Sequence, residues 1–150
     1  MFNYQIQNSN QTLADGIAEF YAVHAQQIQT REPSAEAQEF FRCHDVAHVV
    51  FGCDVSLADE LVVKISSMFG TSAGIGVLKG YRLPESKETY EKISFGSIVV
   101  TAAKALFLIP RTLFRCFKMH KRWQWDAFES HLNQPLKLIR EEFGVVVAGS

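Results

Sequence analysis

A chain of 150 residues with 47% apolar and 21% charged side chains is long enough for one domain with a real core, and its balance is that of an ordinary soluble globular protein. The net charge of −1 conceals an asymmetry: residues 1–60 carry nine acids against Arg31 and Arg42, −7 in all, which leaves +6 for residues 61–150. A basic half of this kind suits an anionic partner, either a membrane surface or a phosphate.

Cys43, Cys53 and Cys116 are odd in number and show no CxxC spacing, which argues against a disulfide framework and for a reducing compartment. The opening MFNYQIQNSN has neither the basic region nor the apolar run of a signal peptide. No apolar run reaches the roughly 18 residues of a spanning helix. The longest, Ile98 to Ile109, is interrupted by Lys104. A cytoplasmic protein, at most peripheral to a membrane, is expected. Twelve phenylalanines fit either a Phe-rich core or a wide cavity for a bulky ligand.

In chain order, the first predicted helix covers 12–29, with Thr12 and Asp15 as a start signal and Leu13, Ile17, Phe20, Tyr21, His24 and Ile28 on one side. Gly16 weakens it slightly. After a break from Thr30 to Pro33, Ser34 caps a second helix that runs to about Phe51. Phe40, Phe41, His44, Ala47, His48 and Phe51 share one face of it, so the two histidines point inward with the phenylalanines. Gly52 is the C-terminal stop, and Ser56 with Asp59 opens a third helix from Leu57 to Met68 or beyond. The turn between is short enough to make the two helices antiparallel neighbours.

Ser66 to Gly80 is crowded with small residues, but GIGVLKG matches neither GxGxxG nor GxxxxGK[ST], and nucleotide binding is not expected. Tyr81 to Lys87 reads as a loop, and Glu88 to Ile109 as a long apolar helix bent at Gly96, which Pro110 breaks or restarts. Arg111 to Arg122 carries five bases and no acid among Leu113, Phe114, Phe117 and Met119, followed by Trp123 and Trp125. This stretch reads either as a peripheral membrane contact through Arg111–Trp125 or as a solvated basic face. A last helix is expected from Asp126 to Phe143, restarted at Pro135 and ended by Gly144. Alternating strand patterns are scarce. The expected fold is all-α: a single domain over 1–150, a bundle of about six helices, with no nucleic-acid partner.

The chemistry concentrates in FFRCHDVAHVVFGCDVSLADE, Phe40 to Glu60. His44 and His48 lie one helical turn apart, and the short turn brings Glu60 back to them. Two imidazoles and a carboxylate suit a divalent ion, Zn²⁺, Fe²⁺, Mn²⁺ or Co²⁺, and leave coordination positions open for water or substrate. Asp45 is a fourth ligand, a partner that fixes a histidine tautomer, or a base acting on bound water; Asp45 and Glu60 are thus the candidate catalytic acids. Cys43 and Cys53 either compete as ligands or serve as small buried hydrophobes. His44-Asp45-x-x-His48 also has the spacing of the zincin HExxH helix, so a metallopeptidase with Glu60 as third ligand is a rival reading.

HDxxH, eleven residues and then Glu resembles the motif of the coenzyme Q (ubiquinone) biosynthesis protein 4 family. Gly52, Lys64, Tyr81-Arg82-Leu83, Leu108-Ile109-Pro110, Glu129 and Ile139 to Gly144 extend the resemblance over about residues 40–144, densely only from Arg42 to Lys64. Departures fall at Val46 and Ala47, where the family often has a bulky residue, at Asp54 in place of proline, and at Leu132 in place of tryptophan. The resemblance implies an all-helical protein with a divalent metal, zinc first, and a polyprenyl-bearing ligand. It also implies a place late in ubiquinone synthesis at the periphery of the inner membrane. The role implied is either oxidative decarboxylation at the ring of a polyprenyl-hydroxybenzoate or a non-catalytic lipid-holding scaffold. Assembly as a homo-oligomer or within a biosynthetic complex is compatible with both. A polyprenyl tail needs a long apolar groove, for which Phe69, Gly70, Gly74, Ile98, Ala102, Ala105 and Leu106 are candidates, with Arg82 for an anionic head group; plain core is the alternative for these apolar positions.

Overall fold

A computed structural model describes residues 1–28, 34–84 and 95–149. Among them stand five α-helices, α1 (Leu13–Ile28), α2 (Ala35–Phe51), α3 (Leu57–Gly70), α4 (Phe95–Lys118) and α5 (Leu136–Phe143), with 3₁₀ turns at Asn3–Gln5, Gly74–Arg82 and Phe128–His131 and no β-strand. The fold is all-α, as expected, with α2 and α3 forming the helix hairpin. The expected break at residues 30–33, the loop end at 85–87 and the expected helix start at 88–94 lie outside the described residues.

Helix α2 is the centre of the molecule. Its C-terminal half is buried nearly all round, with Val46, Ala47, Val49, Val50 and Phe51 in a core shared with Tyr4, Leu13, Phe20, Trp123, Ile139 and Phe143. The ends of α2 follow the sequence signals. Ser34 Oγ accepts the Ala37 N–H at 3.3 Å, and Gly52 closes the helix at φ 68° with its N–H directed to the carbonyls of His48 and Val49. A Cβ at Gly52 would also lie 2.7 Å from Val147 Cβ, so both conformation and space require glycine there. Gly16, which costs helix propensity, stands where a Cβ would meet Val49 Cγ1 at 2.8 Å, and its loss of propensity is the condition for close approach of α1 to α2. The side of α1 expected to face inward contributes Leu13, Phe20 and His24 to the interior, and α1 kinks at His24 (φ −106°, ψ 17°).

Two expectations are corrected. Pro110 neither breaks nor restarts a helix: α4 runs through it to Lys118. Proline removes the donor to the carbonyl of Leu106, but both residues lie on the exposed side of α4, where water can satisfy that carbonyl. The expected helix from Asp126 to Phe143 is instead a 3₁₀ turn, a bend and the short α5. The physical reason is tertiary: the carbonyls of Leu132 and Gln134 accept the N–H groups of Ala14 and Leu13, both at 2.9 Å, and so close the start of α1. Backbone committed in this way cannot also carry its own helix, and Pro135 becomes the N-cap of α5.

Helix α4 packs most extensively on α3, while α5 packs on α2. Arg140 of α5 is almost fully buried, and among the described residues no acid forms an ion pair with it. Its guanidinium donates to the carbonyls of Val49 and Val50 in the last turn of α2 and to those of Tyr4, Ile6 and Gln7. Burial pushes its pKa down to about 10, so it remains charged at neutral pH. A cation at the C-terminal end of α2 meets the negative end of the helix dipole and fixes that end, one turn after His48.

Candidate metal centre

The turn that returns the chain to His48 is built by its own side chains. The Asp54 N–H donates to Asp59 Oδ2 at 2.9 Å, Asp54 Oδ1 accepts the Ser56 N–H at 2.6 Å, and Ser56 Oγ accepts the Asp59 N–H at 3.3 Å. With the first turn of α3 fixed, Glu60 faces α2. Its Oε1 lies 3.3 Å from His48 Nε2 and its Oε2 3.6 Å from His44 Nε2. The imidazole rings stand 4.7 Å apart at 71° to one another.

His44, His48 and Glu60 thus offer three ligand atoms within 4.8 Å of one another. Spacing decides what the group is suited to. Charge-assisted hydrogen bonds run at about 2.7–2.9 Å. Ligand atoms bound at about 2.0–2.1 Å around a tetrahedral ion stand about 3.4 Å apart. The 3.3 and 3.6 Å from Glu60 to the two imidazoles match the second case, while the three atoms together span up to 4.8 Å, so the group must draw in for all three to reach one ion. In addition, His44 Nε2 is buried and has no hydrogen-bond partner, a condition that costs free energy unless something binds there. The residues fit a divalent cation.

Aromatic rings wall the centre. Phe20 stacks on His48 at 5.2 Å, and Phe40 and Tyr81 lie at 5.6 Å from His44. His48 is 1% exposed and His44 8%, so water reaches the site mainly past Glu60. Burial opposes the charged form of His48, yet the carboxylates of Glu60 and Asp45 and the backbone of Asp54 carry its pKa above the ordinary value. Burial opposes the charged form of Glu60 as well, but His48 and His44 hold its pKa below normal.

Asp45 is not a member of the three-residue group. Its Oδ1 lies 3.7 Å from His44 Nδ1. Burial raises the pKa of Tyr21, and the charge and hydrogen bond of Asp45 raise it further. Of the three roles open to Asp45, its place on the Nδ1 side suits the orienting one: at 3.7 Å the contact is electrostatic, longer than a hydrogen bond, and it favours a proton on Nδ1, which leaves the Nε2 lone pair for a cation. Cys43 Sγ lies 3.6 Å from Glu39 Oε1 and Cys53 Sγ 3.7 Å from the Phe51 carbonyl, and both thiols are buried outside the ligand group. Burial, with the help of Glu39, pushes the Cys43 thiol up to about 12.

A groove of about 310 Å³ opens beside the centre, between α3 and α4, lined by Leu57, Glu60, Leu61, Lys64, Thr101, Ala102 and Ala105. It includes the carboxylate of the candidate ligand group itself. Of the residues expected to line such a groove, Ala102 and Ala105 do, and Leu106 is exposed one turn beyond Ala102. Gly70 does not: it is packed in the interior, where a Cβ would meet Met119, Phe51 and Cys116 at 3.1–3.4 Å. Phe69 sits half-buried with its ring 6.5 Å from that of Phe117, while Gly74 and Arg82 lie at opposite ends of the 3₁₀ segment, with Arg82 exposed. The side chain of Ile98 is outside the described ones. Lys64 is the feature that was missed as a site residue. Its ammonium lies 4.7 Å from the centre of the Tyr81 ring, and its place four residues after Glu60 on one helical face was the available signal.

The two tryptophans also differ from expectation. Trp123 is fully buried in the core and Trp125 is half-buried beside Phe40, so neither belongs to an exposed basic-aromatic surface. No helix among the described residues is long and apolar enough to cross a membrane.

No family model, curated protein or solved structure matches the chain. The resemblance to the coenzyme Q biosynthesis protein 4 family therefore rests on the residues of the motif and the flanking positions quoted above.

Proposed function

We propose that this chain is a ubiquinone-biosynthesis-type protein that binds a divalent metal and a polyprenyl lipid side by side. The observation that carries the reading is Glu60: it completes the ligand group with His44 and His48 and also lines the apolar groove between α3 and α4. A ligand in that groove meets the metal position at one end and Leu57, Leu61, Ala102 and Ala105 along its length. Each buried CH₂ contributes about 0.8 kcal/mol, so a few isoprene units supply most of the affinity.

His44, His48 and Glu60 would hold the ion, zinc first, with iron, manganese or cobalt suited to the same donors. A divalent ion in this place would supply Lewis acidity, drawing negative charge from the oxygens of a polyprenyl-hydroxybenzoate as carbon dioxide leaves. The oxidative half of such a decarboxylation would take its electrons to, and its new hydroxyl oxygen from, dioxygen as a co-substrate, because zinc itself is redox-inert. Asp45 orients His44, the phenyl rings of Phe20 and Phe40 exclude water, and Lys64 offers a positive charge to an anionic head group in the groove.

The scaffold reading keeps the same lipid and metal without turnover. It is favoured by one feature: Glu60 is the only acid lining the groove among the described residues, and Asp45 is turned toward His44. The peptidase reading has less support, since an apolar groove between helices offers no edge for pairing with an extended peptide.

The test is mass spectrometry of lipid co-purified with the full chain and with Ala105→Trp, which fills the groove. Polyprenyl lipid in the wild type and its loss in Ala105→Trp are expected; wild-type protein free of such lipid when produced in a quinone-making host contradicts the proposal. Complementation then separates the roles, because an enzyme loses function in His48→Ala while it still carries lipid, and a scaffold does not.

A further inference from the structure

Helix α4 carries no acid from Phe95 to Lys118, and its outward side is divided lengthwise. Leu106, Phe107, Phe114 and Phe117 are 76, 79, 63 and 76% exposed, an unusual degree for four large apolar side chains on one helix. At 100° per residue they fall within about one third of the circumference, together with the exposed Pro110. Lys104, Arg111 and Lys118 recur every seven residues and form an exposed basic stripe along one border of that apolar face. The Lys118 ammonium lies 5.5 Å from the centre of the Phe114 ring, so the two stripes touch. On the other side, Thr112 and Cys116 are buried in the protein interior.

From this face we infer that α4 docks the protein onto an anionic bilayer, with Leu106, Phe107, Phe114 and Phe117 in the interface and Lys104, Arg111 and Lys118 among acidic head groups. The occupant follows from charge. Two copies paired antiparallel through the same face would set one basic stripe against another, and a parallel pair would leave each stripe along its own side of the seam, in either case with no acid on either helix to neutralise it. An anionic lipid surface supplies the opposite charge to the stripe and apolar depth to the aromatic face at once. The surface contact anticipated over Arg111–Trp125 thereby moves toward the N-terminus of α4 and excludes both tryptophans. Exposed Ala102, which lines the groove, precedes Leu106 by four residues on the same side of the helix. In the reading of the groove as a prenyl-lipid site, on which this last point alone rests, the docked helix sets the groove mouth at the bilayer, and the ligand enters from lipid.

Vesicle flotation of the full chain tests the inference, with phosphatidylcholine alone and with roughly a third phosphatidylglycerol added. Each basic residue at an anionic surface is worth roughly a fivefold change in partitioning. The combined variant Lys104→Gln/Arg111→Gln/Lys118→Gln should therefore lose on the order of 100-fold in binding to acidic vesicles. Phe107→Ser/Phe114→Ser should bind weakly even at low salt, and circular dichroism should show both variants folded, because every altered side chain is exposed. Equal partitioning of wild type and variants, or no preference for acidic over neutral vesicles, overturns the inference. So does a wild-type dimer in light scattering that Phe107→Ser/Phe114→Ser dissociates while acidic vesicles are ignored, an outcome that assigns the face to a second copy. None of these readouts needs a bound metal or a lipid in the groove, so they stand or fall apart from the proposed function.

Discussion

Oε1 of Glu60 lies 3.3 Å from Nε2 of His48, across a turn in which only residues 52–56 are outside helix. Every part of that turn serves the contact: Gly52 ends α2 in the left-handed region, Asp54 and Ser56 cap the incoming α3, and Arg140 holds the last carbonyls of α2 from behind. A site whose ligands lie on two rigid helices joined this way is preorganised before any ion arrives.

Asp45→Asn is expected to weaken metal binding by about 10- to 100-fold, the usual cost of removing a carboxylate that orients a ligating histidine. Competition with a chromogenic chelator measures it. Unchanged affinity would show that the 3.7 Å separation from His44 Nδ1 has no influence on the ligand.

Arg140→Met should destabilise the fold by at least about 3 kcal/mol, because five backbone carbonyls lose their donor and several are buried. Arg140→Lys keeps the charge but too few donors, and should recover only part of this. Urea denaturation reads the difference. A variant as stable as the wild type would remove Arg140 from the forces that hold α2.

The metal-free site has a defined pH signature. The pKa of His48 is raised above 6.5, so its ion pair with Glu60 contributes stability fully present below pH 6.5 and lost as pH rises through the folded value. The pKa of Glu60 is lowered below 4.5, so its contribution is present above pH 4.5 and lost as pH falls through its folded value. The pair therefore helps most between those limits. Metal binding needs neutral imidazoles and must displace the His48 proton, so its effect runs the other way. Thermal unfolding with and without excess Zn²⁺ should show a metal-induced rise in Tm that grows from pH 5.5 toward pH 7.5, and a rise independent of pH would contradict this.

The motif and its hairpin were legible because their determinants are local. Ser34, Gly52 and Ser56 are start and stop signals whose hydrogen bonds lie within four residues, and they set the register that brings Glu60 to His44 and His48. The departures arose where distant chain decides. Leu132 and Gln134 spend their carbonyls on α1, Gly16 trades helix propensity for contact with Val49, and Arg140 finds carbonyls from residues more than 90 positions away as well as in α2. Pro110 passes through α4 because its side of the helix is exposed, which a pattern of apolar residues did not reveal. The groove was legible only at Ala102 and Ala105, since its other wall is the outer face of α3 beside Glu60.

The central claim is that His44, His48 and Glu60 hold a divalent ion. Elemental analysis of purified wild-type protein beside His48→Ala, each after exposure to Zn²⁺ and desalting, tests it most directly. Near-stoichiometric metal is expected in the wild type, and a loss of more than about 100-fold in affinity in the variant, since a lost ligand costs more than a lost orienting partner. Wild-type protein that retains no metal, or retains as much as His48→Ala, would contradict the claim.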